Sequence, residues 1–113
     1  MKIIRMNEIK GKSITQYDSK MIMRKILMTD KSTHVGIMQL DKGGIVGYHD
    51  ATVPQILLII EGEGWVRSGT SRKVRVVAGD AVLWETGEGH ETTSEMGLKA
   101  IVIESEGLEI SSF

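Results

Sequence analysis

The side chains able to do proton or metal chemistry are few in this 113-residue sequence: it has no cysteine and three histidines, His34, His49 and His90. Imidazole is the side chain whose ordinary pKa lies nearest neutrality, and its ring nitrogens are common metal ligands. The useful question is which histidines share a neighbourhood. His49 ends one alternating segment, Gln55 follows six residues later at the start of an apolar one, and His90 opens another after the turn Thr86-Gly87-Glu88-Gly89. Side chains alternate between the two faces of a strand. His49 therefore falls with Ala51, Gln55 with Leu57 and Ile59, and His90 with Thr92 and Ser94. If these faces line one interior, two imidazoles and an amide converge in a mostly apolar cavity, the usual character of a small-molecule site. His34, before the run Val35 to Leu40, reads as a surface or strand-end residue. Glu85, Glu88 and Glu91 flank His90. Parity sends Glu91 to the opposite face, and carboxylates in a glycine-rich turn are ordinarily solvated. Tyr48, Trp84 and the methionines Met21, Met23 and Met38 read as packing residues, with walling the pocket as their alternative role. No Ser-His-acid arrangement or nucleophile elbow is visible.

The elements that must position these groups are strands. Short apolar or alternating runs recur between Gly, Asp, Asn and Ser, without a convincing 3.6-residue period over ten or more residues. The expected strands are Lys2 to Arg5, Met21 to Leu27, His34 to Leu40, Ile45 to His49, Gln55 to Glu61, Trp65 to Ser68, Lys73 to Val77, Ala81 to Glu85, His90 to Ser94 and Leu98 to Glu104. Asp41-Lys42-Gly43-Gly44, Glu61-Gly62-Glu63-Gly64 and Ala78-Gly79-Asp80 each place glycine where positive φ lets a strand reverse. Pro54, the only proline, fits the first residue of a strand, where its missing N–H does least harm. Ser13 to Lys20 offers one helical turn at most. The tail from Gly107 to Phe113 is open between a pendant strand, an arm onto a partner and disorder.

Two stretches resemble the paired motifs of the cupin superfamily. Gly43, His49, Gln55 and Gly62 fall at the spacings of the first motif (residues 43–62), and Gly79, Gly87 and His90 at those of the second (residues 79–94). The resemblance implies an all-β fold: a double-stranded β-helix, or cupin jelly-roll barrel, of about ten strands with little helix, filling residues 1–113 as one domain. It also implies a divalent metal held by three histidines and a glutamate. This chain departs from that pattern, with Ala51 in place of the second histidine, Gln55 in place of the glutamate, Glu85 in place of a proline and Ser94 in place of an asparagine. The expected pocket is lined by His49, Ala51, Gln55, His90 and Ser94.

Two readings of the polar set stand side by side. His49, Gln55 and His90 can hold a divalent metal such as Ni, Zn, Fe, Mn or Cu weakly, because a deleted ligand and a neutralised one both cost affinity. Alternatively they form a hydrogen-bonded cluster with no cofactor, since buried polar groups must find partners. The leading expectation is a small-molecule-binding protein centred on these three residues; the other is a metal-dependent oxygenase or isomerase acting on a small organic substrate.

The whole chain narrows the partners. Its composition, 41% hydrophobic and 26% charged, is that of a globular protein with a packed core. The formal charge is −1, and the densest basic cluster, Arg72, Lys73 and Arg75, reads as a solvated face, so neither nucleic acid nor an anionic membrane is expected. The longest apolar run, Ile56 to Ile60, is far below a membrane span. With no cysteine and no signal-like N-terminus, the expected setting is the cytoplasm. Exposed strand edges favour a homodimer.

Overall fold

A computed structural model describes all 113 residues. Ten strands form in chain order: β1 (Lys2–Arg5), β2 (Gly11–Ile14), β3 (Met21–Arg24), β4 (Thr33–Leu40), β5 (Gly44–Asp50), β6 (Gln55–Ser68), β7 (Val74–Val77), β8 (Asp80–Trp84), β9 (Gly89–Ser94) and β10 (Leu98–Ser105). Helix is confined to three single 3-10 turns, one of them, Gln16–Asp18, inside the segment expected to hold at most one turn. No helix is long and apolar enough to cross a membrane.

All pairings are antiparallel. One layer runs β1-β8-β6-β10-β4, and the other is built from β7, β6, β9 and β5, with β6 common to both. The strand count matches the expectation but the strands themselves differ in two places. Glu61-Gly62-Glu63-Gly64 does not reverse the chain: Gln55 to Ser68 is one 14-residue strand. Gly62 has φ 82°, and the register against β10 slips between Lys99 and Ala100. The glycine therefore makes a bulge in β6 rather than a hairpin turn. The first half of β6 pairs with β10 and β8, the second with β7 and β9. The other difference is β2, which pairs with β3 in a separate two-stranded sheet and carries too little apolar alternation in Gly11-Lys12-Ser13-Ile14 to announce itself. The expected reversals at Gly43 and Gly79 do occur, with φ 77° and 98°, and Pro54 directly precedes β6.

Burial explains why the run Ile56 to Ile60 does not alternate. Leu57 and Ile59 face between the layers, packing with Val66, Val82, Trp84, Leu98 and Ala100. Ile56 and Leu58 face outward into a second cluster with Ala81, Leu83, Ile103 and Leu108. A strand covered on both faces needs apolar residues at every position, and each fully buried Leu or Ile contributes about 1.5–3 kcal/mol of transfer free energy. The outer cluster is covered by Ile4, Ile26, Leu27, Ile110 and Phe113. The C-terminal tail is thus docked on its own barrel through Leu108, which is buried, and its 3-10 turn.

Candidate functional site

His49 and His90 are brought face to face by the pairing of β5 with β9, in which they are direct cross-strand partners. Their ring centroids lie 4.5 Å apart. A bulge in β5 between Val46 and His49 lets residues three apart both border one cavity, which strict alternation forbids, with His49 at its exposed side. Gln55 enters from the start of β6 and Trp84 from the end of β8, cross-strand partners in turn. The Trp84 indole stacks on the His90 ring at 4.1 Å between centroids and 19° between planes.

These side chains border a cavity of about 270 Å³. It lies between the layers, where β4 bonds only to β10 and β5 only to β9, so that no ladder closes the seam between them. Apolar wall comes from Met38, Val46, Leu57 and Val102. A larger depression, about 580 Å³, is bordered by Asp41, Lys42, Glu61, Met96 and Lys99 and holds no imidazole. The three imidazoles all line the smaller cavity.

The hydrogen bonds fix how the imidazoles present themselves. His49 Nδ1 lies 2.7 Å from the Gly47 carbonyl oxygen and His90 Nδ1 lies 3.0 Å from that of Glu88. A carbonyl only accepts, so each Nδ1 carries a proton, and in the neutral form of either ring the lone pair is on Nε2. Burial pushes the His90 pKa below its ordinary value, and the neighbouring His49 adds to the effect against the opposing pull of the Glu88 carbonyl. The balance favours the neutral ring of His90.

The expected pocket residues divide. His49, Gln55 and His90 line the cavity; Ala51 and Ser94 do not. Ala51 lies beyond the end of β5, where alternation no longer governs direction, and is packed into the inner core. Ser94 faces inward, but its hydroxyl donates to the Glu63 carbonyl at 2.6 Å and accepts the Gly97 N–H at 2.8 Å, holding the turn into β10. Met38 and Trp84 do wall the pocket, whereas Met21 and Met23 are exposed on β3 and Tyr48 turns outward to Gly69 and Arg67. The Glu88 carboxylate binds the N-terminal ammonium and the Ser68 hydroxyl, and Glu91 pairs with Arg67.

Two ionisable residues of the cavity escaped the sequence reading as pocket groups. His34, read as a surface or strand-end residue, is indeed exposed near the start of β4 but also lines the cavity, and Glu104 lines it from β10; the two are cross-strand partners. The signal available was parity. His34, Gly36 and Met38 share one face of their strand, and Ala100, Val102 and Glu104 share one of theirs. Glu104 Oε1 accepts a hydrogen bond from Gln55 Nε2 at 2.6 Å.

This donor set does not fit a firmly held divalent metal. Such centres use three or four protein donors, yet no group of three His, Cys, Asp or Glu side chains is placed to share an ion. Gln55 offers only a neutral carbonyl oxygen, its nitrogen being committed to Glu104. The weak centre expected of His49, Gln55 and His90 amounts to two imidazoles and one neutral amide oxygen, with no carboxylate among the three.

No protein-family model and no curated protein matches the sequence. Among solved structures, a cupin superfamily protein from Desulfitobacterium hafniense fits with a TM-score of 0.62 at 16% identity, over 70% of this chain and 71% of that one. The chain has the cupin fold. A cupin-like protein from Thermotoga maritima gives a TM-score of 0.63 at 19% identity, covering 72% of this chain and 60% of the other. The DMSP lyase DddQ from Ruegeria pomeroyi gives 0.62 at 24% identity, covering 69% and 40%. At such identities the likeness is one of fold, and cupin barrels host many chemistries.

Proposed function

We propose that this cupin barrel, read as one domain over residues 1–113, binds a small organic molecule in the cavity between His49, Gln55 and His90. The observation that supports this best is the pair of facing imidazoles, each tied at Nδ1 to a backbone carbonyl and each with Nε2 left unbonded. They border a cavity whose remaining wall is largely apolar. Oriented polar groups in an apolar recess are what a binding site needs. The metal-dependent enzyme reading gains no support from a donor set of two imidazoles and a neutral amide oxygen.

The test is a fragment screen by amide NMR on the intact protein and on Val46→Phe, which fills the cavity. Compounds that shift Gly36, Thr92 and Val102 in the parent and not in the variant support the reading. A screen in which no compound moves those amides refutes it.

The assembly we propose is a homodimer. The free edge of β4 carries Val35 and Ile37, 62% and 71% exposed, and β3 presents Met21, Ile22 and Met23 to solvent. A two-stranded sheet standing alone is marginal in water. A second copy that lays β3 against β4 covers both surfaces at once, and a two-fold axis repeats the contact.

A further inference from the structure

Resting on the reading of the cavity as a ligand site, we propose that its ligand is a small organic cation, an ammonium or guanidinium group on an apolar body, with the charge held by Glu104.

The polar groups facing the cavity are mostly acceptors. Glu104 is the only carboxylate among the lining residues, and no Lys or Arg lines the wall. A carboxylate has roughly four lone-pair positions. Glu104 uses one of them, for Gln55 Nε2, and takes part in no ion pair; His34, its cross-strand partner, lies beyond pairing distance. The Gln55 amide, having spent a donor on Glu104, keeps its carbonyl oxygen. His49 and His90 have donated their Nδ1 protons to backbone carbonyls, so their Nε2 atoms also accept. Donors in the wall are the second Gln55 N–H, the Thr92 hydroxyl and a ring N–H of His34, while the Trp84 indole N–H is shielded from the cavity space.

A half-buried carboxylate with no counter-charge draws a cation and repels an anion. An ammonium or guanidinium brings several N–H donors to acceptors that lack them, and charge-assisted bonds of this kind are the stronger class. Met38, Leu57 and Val102 suit the ligand's carbon skeleton. A bare metal ion would leave that apolar wall without use.

The experiment uses three compounds of one shape and different charge: cyclohexylammonium, cyclohexanol and cyclohexanecarboxylate, titrated into the intact protein at pH 7.5 and low salt with amide NMR detection. The expected order is ammonium, then alcohol, then carboxylate, with the ammonium about tenfold tighter than the alcohol, equivalent to about 1.4 kcal/mol. Glu104→Gln should bring the ammonium down to the affinity of the alcohol, and Glu104→Asp should keep the preference, showing that charge rather than misfolding is responsible. Equal binding of all three compounds, tighter binding of the carboxylate, or a preference that survives Glu104→Gln overturns the cation assignment while leaving a ligand site in place. If none of the three moves the cavity amides, the site reading itself fails and takes the assignment with it.

Discussion

At the scale of single residues, His90 is the group whose environment departs most from solution. It is 2% exposed, and burial followed by the proximity of His49 lowers its pKa. Because the folded value lies below the unfolded one of about 6.5, the stability contribution of the neutral ring is complete above pH 6.5 and is lost as pH falls through the folded value. Glu88 acts in the same sense at lower pH: burial alone would raise its pKa, but hydrogen bonds from the N-terminal ammonium, Ser68 and the Glu85 backbone outweigh it. Urea midpoints should therefore fall steadily from pH 7 to pH 4, and a flat profile would contradict both assignments. An NMR titration should find the His90 midpoint below 6.5 and moving up in His49→Ala. Trp84 offers a different test, since its buried N–H has no partner. Trp84→Phe removes an unsatisfied donor that costs about 1–3 kcal/mol and offsets much of the lost packing. It should destabilise by less than about 1 kcal/mol, against about 3–5 kcal/mol for Trp84→Ala, both read from urea denaturation. The residues legible in the sequence, His49, Gln55 and His90, carried motif spacing as well as parity. Glu104 had parity alone, in a strand whose neighbours β4 and β6 no local pattern could name.

At the scale of elements, the boundaries of most strands were readable because turn glycines and alternation agree. Gly62 was misread because positive φ is common to a hairpin and a bulge, and only the partner strands decide between them. The two uses have different energetic consequences. At Gly43, with φ 77° and open space around the Cβ position, Ala costs only the left-handed conformation, about 1–2 kcal/mol. At Gly62 a Cβ would also collide with the Gly97 carbonyl, a backbone atom held where β10 begins. Gly62→Ala should cost clearly more than Gly43→Ala in chemical denaturation, by about 1–3 kcal/mol for the added overpacking. Equal losses would mean that the bulge relaxes freely.

At the scale of the whole molecule, the jelly roll was legible from strand spacing and the two resembling motifs, while the second core was not. Which residues cover the outer face of β6 depends on Leu108 and Phe113 returning from the far end of the chain to meet Ile4 and Leu27. The homodimer makes its prediction at this scale: sedimentation should give twice the mass of the chain, and Val35→Lys or Ile22→Lys should give a folded monomer by circular dichroism. A monomeric parent protein would refute the assembly. The unbonded seam between β4 and β5 has a consequence of another kind. Amides of β6, laddered on both sides, can exchange with deuterium only when the barrel opens, whereas those on the free edges of β4 and β5 need only local fraying. A molecule lodged in the cavity spans that seam, so its arrival should be recorded as slowed deuterium uptake at the two rims, even while the rest of the barrel keeps time as before.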